Sequence, residues 1–170
     1  MLFPIIVPRR YNKDGRWVGP MKNLRHPQLA LTWVVLREPG AMTYISHDVA
    51  REYQQSGVDF ESEALNNLQR APDTELSTHN KVDDGRLMYA VAMHQDGLGS
   101  SRLLLVDRWK RIFPNGCYFG LPERSCAFVV PVGLSPRERR SVVKVVDHCH
   151  KYGTTAMLPG LQSPDLYLLE

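Results

Sequence analysis

Cysteine is scarce in this chain: three among 170 residues, Cys117, Cys126 and Cys149, none of them in a Cys-x-x-Cys pair. That excludes a disulfide framework and the common zinc spacings, and an odd number cannot all pair within one chain. Reduced thiols and a cytoplasmic location are the expectation. No apolar run approaches the roughly 18 residues of a membrane helix, and mean hydropathy is -0.31. No membrane association is expected. The start of the chain puts its apolar residues, Leu2 to Val7, before its charges, Arg9 and Arg10. A secretory leader has the reverse order, so export is not expected either. Also missing are Gly-x-Ser-x-Gly, His-Glu-x-x-His and a Walker lysine, the local signatures of common hydrolases and nucleotide enzymes.

What is present is unevenly distributed charge. The net charge is +3. Residues 1–37 carry +6, residues 38–96 carry -7, residues 97–151 carry +6 and the remainder carries -2. Two readings follow. Acidic and basic segments can lie side by side and neutralise one another, or they can leave a polarised exterior that orients a charged partner.

Pro and Gly, 12 each, are scattered as punctuation, so no linker divides the chain. A single domain over residues 1–170 is expected, with residues 1–28 as an irregular basic arm packed through Trp17. Leu29–Leu36 and Met42–Ile45 read as a hairpin around Pro39-Gly40. Ser46 caps a helix that Gly57 stops, and a second helix from Asp59 buries Phe60, Ala64, Leu65 and Leu68. Residues 72–84 read as an acidic loop. Arg86–His94 is apolar on both faces, as a central strand is. A helix from Ser100 buries Leu105, Val106, Trp109, Ile112 and Phe113, with Arg108 and Arg111 outward. Asn115-Gly116 turns into strands Cys117–Leu121 and Cys126–Val132. Ser135-Pro136-Arg137-Glu138 is a capping box for a helix with Val142, Val145, Val146 and Cys149 as its buried stripe, and Leu166–Leu169 is a final strand. The order β-β-α-α-β-α-β-β-α-β predicts an α+β fold with one mixed, mostly antiparallel sheet and helices packed against it.

Four groups of residues carry chemical possibilities. His148-Cys149-His150 would need to converge for metal or nucleophilic chemistry, but neighbours on a helix point about 100° apart. A packed thiol flanked by boundary imidazoles is the preferred reading, and no metal site is assigned. Asp83 and Asp84, with Asp73 and Glu75, match no calcium-loop spacing and read as a solvated loop. The row Arg137, Arg139, Arg140, Lys144 and the trio Arg108, Lys110, Arg111 are basic helix faces. Without a helix-turn-helix or an aromatic RNA-binding motif, nucleic acid is possible but not favoured. Asp96-Gly97-Leu98-Gly99-Ser100-Ser101 joins a buried strand to a helix start, lacks a phosphate-loop pattern, and reads as a turn with a serine cap.

Ala64-Leu-Asn-Asn-Leu68, then Asp96 with Ser100-Ser-Arg-Leu-Leu-Leu105, then Leu121-Pro-Glu-Arg124 with Val129-Val-Pro131, occur in an order similar to that of the YtpQ-like family of uncharacterised bacterial proteins. The resemblance covers residues 29–152. Ser125 departs from it, standing where an acid often follows the arginine, and the N-terminal arm has no counterpart. The resemblance implies a bacterial cytoplasmic α+β protein and no activity.

If the Arg124 turn and the Asp96–Ser101 turn share a sheet edge, Asp96, Ser100, Ser101 and Arg124 would line one shallow surface for an anion or a partner. The expected function is therefore a non-enzymatic interaction module, an adaptor, regulator or immunity-type binder, with another protein as partner and no cofactor. A small hydrolase-like enzyme with scattered Cys, His and Asp residues, and a nucleic-acid binder using the basic helices, remain as alternatives. No catalytic residue is assigned.

Overall fold

The longest stretch of apolar residues at the start of the chain, Leu2 to Val7, has no polar alternation because every one of its side chains is covered. In the computed structural model, which describes residues 1–38, 41–71, 78–93 and 96–163, this stretch is strand β1 (Leu2–Pro8), buried along its whole length. It pairs antiparallel with β3 (Leu29–Glu38), Phe3 opposite Val34 and Ile6 opposite Leu31. The expected arm is thus a core strand followed by a short irregular segment. Pro4 and Pro8 are compatible with it because a strand with one neighbour needs only half of its N–H groups. Trp17 does pack as anticipated: it meets the Tyr44 ring edge-on with centroids 4.9 Å apart, and its Nε1 donates to Thr32 Oγ1.

Two further strands complete this first sheet on the other side of β3: β2 (Lys22–Asn23) and β4 (Ala41–Tyr44). The second sheet is also antiparallel, with order β5-β6-β8-β7, from β5 (Thr78–Asp83), β6 (Arg86–Met93), β7 (Cys117–Glu123) and β8 (Cys126–Pro131). The fold is α+β as expected, but it has two four-stranded sheets rather than one. Residues 78–83, assigned to a loop on their polarity, form a strand. Asp84 and Gly85 both have positive φ, 47° and 75°, so they close a tight hairpin whose twist matches its strands. The Pro39-Gly40 turn, Asp73, Glu75 and Leu166–Leu169 lie outside the described residues.

Helices α1 (His47–Gln55) and α2 (Phe60–Gln69) begin where capping chemistry places them: Ser46 Oγ accepts from Val49 N–H and the Asp59 carboxylate from Ser62 N–H. Both pack on the first sheet through Ala50, Phe60 and Ala64 against Leu2 and Trp33. Leu65, expected in that stripe, is 41% exposed, because it sits 100° round from Ala64. The expected helix from Ser100 is divided into a 3-10 turn, Ser100–Leu104, and α3 (Val106–Ile112). Arg108 is buried, not outward, with its guanidinium 5.3 Å from the Trp109 ring centre. α4 (Pro136–Tyr152) starts at the predicted capping box and covers the outer face of the second sheet through Val142 and Val146. Gly120 is what lets it come so close: a Cβ there would stand 3.2 Å from Val146.

A shared core of Ile6 and Leu29 from the first sheet and Leu24 just after β2, with Ala90, Phe119, Leu121, Ala127 and Val129 from the second, joins the two sheets, with Trp109 packed among them. The chain from Ala156 to Gln162 then runs along β7, donating from Met157, Leu158 and Gln162 to Pro122, Leu121 and Phe119.

Gly99 is the tightest point of this assembly, since a Cβ would lie 1.8 Å from the Ser125 carbonyl oxygen and 2.7 Å from that of Ala92. Neither is a side chain that can swing away. Gly99→Ala is expected to cost more than about 4 kcal/mol, whereas Gly133→Ala, with open space around it, changes stability by less than about 0.5 kcal/mol. Urea unfolding midpoints of the two variants measure the contrast.

Candidate functional site

The turn at Asp96 and the turn at Arg124 are adjacent: Ser100 N–H donates to the Arg124 carbonyl over 3.0 Å, and Arg124 N–H reaches Thr155 O. The juxtaposition anticipated from the sequence is therefore present. Its character differs. Ser100 and Ser101 are completely buried and their hydroxyls lack protein partners, so the shallow surface expected of four residues reduces to half-buried Asp96 and Arg124. What organises the turn is Arg102, which no local pattern marks as a buried residue. Its side chain is fully buried, and its Nη1 and Nη2 donate to the two oxygens of Asp96 at 3.1 and 2.9 Å. Asp96 Oδ1 also accepts from Leu98 N–H, and Trp109 Nε1 donates to the Arg102 carbonyl. This fork-on-fork pair holds the 3-10 turn between the sheets. A buried serine pair and a self-neutralised ion pair make a joint more readily than a receptor.

The thiols and imidazoles do not converge on an open site. Cys126 and Cys149 share a hydrogen bond beneath α4, and burial, with Cys149 and Glu123 nearby, pushes the Cys126 thiol up to about 12. Burial alone lifts Cys117 to about 11. Both are protonated and weakly nucleophilic near neutrality. His148 stands outside on α4 against the Tyr152 ring. Among the described residues no group of three His, Cys, Asp or Glu side chains is placed to hold a metal.

A concave surface open to solvent lies elsewhere, between the β5–β6 hairpin and the first turns of α4. It has a volume of about 570 Å³. Met88, Tyr89, Val142 and Val145 form its floor, and Lys81, Asp83, Arg137 and Glu138 its rim. Its apolar floor depends on a β-bulge. Lys81 opposes Tyr89 while Val82 opposes Leu87, so Met88 is the extra residue. Two adjacent residues, Met88 and Tyr89, thereby line the same cavity, which a regular strand would forbid. Val145 was expected in the core stripe, but the core line runs through Val142 and Val146, and Val145 is 40% exposed beside it. The Asp84-Gly85 dipeptide and the surplus valine on α4 were the sequence signals for this groove.

The rim is tied to the fold by Glu138. Its carboxylate accepts from Ser135 N–H at 2.8 Å and from Arg86 Nη2 at 2.5 Å, which joins the hairpin to the start of α4. Arg137, Arg140 and Lys144 are exposed on the same helix. The acidic and basic segments of the sequence do partly neutralise one another, through Lys22–Glu61 and Asp96–Arg102. With Arg108 buried, only one of the two expected basic faces survives intact.

No family model, curated protein or solved structure matches the chain, so the residues of the groove and of the buried joint are read on their own geometry.

Two outcomes follow. Removing one partner of the buried pair leaves an uncompensated charge, so Asp96→Ala is expected to cost about 3 kcal/mol. Asp48→Ala, which removes the exposed pair with Arg51, costs under about 0.5 kcal/mol. Denaturant titration separates them. Glu138 is held at about 2, first by its bonds to Ser135 and then by Arg86. A depressed carboxylate contributes its stability above the unfolded value, near 4.5, and loses it as pH falls toward 2. Thermal melts across that window are expected to fall more steeply for the wild type than for Glu138→Gln.

Proposed function

We propose that the protein is a non-enzymatic interaction module of the cytoplasm that binds another protein through the groove between the β5–β6 hairpin and α4. One observation carries this reading: the groove sets half-buried Tyr89 and exposed Val145 inside a charged rim. At the Asp96–Arg124 turn, by contrast, the Asp96 carboxylate is already committed to Arg102 and Leu98, and Ser100 and Ser101 are buried. An apolar floor with a polar rim is the anatomy of a protein interface, in which desolvation of the centre supplies affinity and the rim supplies selectivity. The raised thiols and the divergent imidazoles favour this reading over a hydrolytic one, and the burial of Arg108 favours it over nucleic acid.

Selection of peptides from a displayed random library on the full-length protein tests it. Enriched peptides are expected to lose at least about tenfold in affinity on Val145→Asp, which places a charge at the centre of the floor, a loss of about 1.4 kcal/mol. They are expected to bind Val58→Asp, a comparable change at an exposed valine away from the groove, as they bind the wild type. Peptides insensitive to Val145→Asp, or a library that yields none, overturn the reading.

A further inference from the structure

The charges of α4 sort by position around the helix. Residues advance 100° each, and Val142 and Val146 mark the line turned to the second sheet. Arg137, Arg140, Lys144, His148 and Lys151 fall within about 40° of the opposite line, and all five are exposed. They form one row about 21 Å long. The two carboxylates of the helix lie outside it. Glu138 is committed to Ser135 and Arg86, and Asp147 accepts from Gly160 N–H at 2.7 Å. Lys151 and His148 flank the Tyr152 ring at the far end of the row. Arg137, Arg140 and Lys144 make no ion pair among the described residues.

This row works against the helix that bears it. Arg137 and Arg140 stand in the first turns, at the positive end of the helix dipole, where cations are unfavourable. Arg137 with Arg140, and Arg140 with Lys144, are like charges at i,i+3 and i,i+4, a spacing at which they repel. Arg139, the third arginine there, is offset by the ring and hydroxyl of Tyr118. Arg137 and Arg140 have no such offset among the described residues. α4 otherwise follows the local rules, with a capping box and a proline in its first turn. Conflicts with those rules that nothing in the fold offsets are expected at functional positions.

We infer that this row binds an acidic segment of a partner protein, laid along α4 with an apolar side chain set in the groove beside Val145. This rests on the interaction-module reading and names the partner's chemistry. The sign follows from α4. The hairpin brings one charge of each sign to the groove, Lys81 and Asp83, and Glu138 is already balanced by Arg86. The joint use of row and groove follows from their adjacency. Arg137 begins the row and also lines the groove, and Val145 is 100° round the helix from Lys144. A segment lying along the margin between the two meets both. The partner is a peptide segment and not a broader polyanion because the row is one residue wide. Asp147 flanks it on one side and Asp83 stands across the groove on the other, so a nucleic-acid duplex or an anionic bilayer meets acids at both margins. Carboxylates placed on the row relieve a repulsion already present in the free protein, which favours the complex.

Fluorescence anisotropy on the full-length protein tests the inference with three labelled probes: a peptide repeating Glu-Glu-Leu, a peptide of equal length repeating Lys-Lys-Leu, and a short DNA duplex. The acidic peptide is expected to bind at least about tenfold tighter than either of the others. Arg140→Glu, outside the groove, is expected to weaken it at least about tenfold. The melting temperature of that variant is expected to hold or rise, because the new carboxylate suits the helix dipole and pairs with Arg137 and Lys144. Arg51→Glu, the same reversal on α1 against the other sheet, leaves the affinity unchanged. Acidic-peptide binding indifferent to Arg140→Glu, or equal binding of the two peptides, overturns the row as the recognition surface. Duplex binding as tight as that of the acidic peptide, and lost on Arg140→Glu, overturns the class of partner. In each of these cases library peptides lost on Val145→Asp leave the interaction-module reading standing. Acidic-peptide binding lost on Arg140→Glu but indifferent to Val145→Asp overturns the joint use of row and groove. Failure of the acidic peptide to bind at all overturns the inference, and a random library that also yields nothing removes the reading beneath it.

Discussion

The two sheets are joined through a 3-10 turn whose central side chain is a wholly buried arginine. Arg102 reaches Asp96 with both terminal nitrogens, and the backbone around it is fixed by Leu98, Gly99 and Trp109. Burying a cation is among the costlier things a protein does, and a single carboxylate offsets that only with good geometry. Its presence here is explained by place. The turn must change direction between β6 and α3 while touching β1, β6, β8 and α2, a junction where apolar packing would leave backbone groups unpaired. A bidentate pair supplies direction as well as energy. Ser100 and Gly99 belong to the same solution. The serine amide joins the turn to Arg124, and the missing side chain at Gly99 lets the Ser125 and Ala92 carbonyls approach.

That constraint explains the asymmetry of the second sheet. One face of the second sheet is committed to the shared core, and α4 covers β7 and β8 on the other, leaving the β5–β6 hairpin the less covered part. The chain returning from α4 passes through Gly153 and lies along β7, so this edge is consumed. The hairpin at the far side extends past the end of the core. Its β5 buries none of its described side chains from His79 to Asp83 and depends on the Asp84-Gly85 turn, on β6 and on the Arg86–Glu138 contact. Few buried contacts place such an element at the low end of local stability, where binding surfaces are commonly found.

Much of the fold was legible because its signals are local. Ser46, Asp59 and Ser135 mark helix starts by chemistry that acts within four residues, and all three act as expected. The strands Arg86–Met93, Cys117–Glu123 and Cys126–Pro131 carry enough apolar density to declare themselves. β1 was hidden by its prolines and its basic continuation, and its pairing with β3 joins residues far apart in sequence, which no local pattern encodes. β5 was hidden for the opposite reason: a strand with no covered face has no hydrophobic periodicity to read. Arg102 was hidden because charge argues for the surface until its partner is seen, and the five residues between it and Asp96 form a turn with no periodicity to read.

The same reasoning separates the two polar clusters as functional sites. At the Asp96–Arg124 junction the Asp96 carboxylate is held by Arg102 and Leu98 and the two serine hydroxyls are buried, so a ligand drawn to Asp96 would have to replace bonds that hold the turn. In the groove, the bond network of Glu138 fixes the walls while Tyr89 and Val145 contribute area left open among the described residues. Binding there would bury apolar surface at roughly 25 cal/mol per Å² without breaking a structural contact. The strongest electrostatics of the protein are invested in its own joint, and half-buried Tyr89 and exposed Val145 lie apart from it, between the hairpin and α4. The physical asymmetry, and not any single residue, is what points to the hairpin side of the molecule.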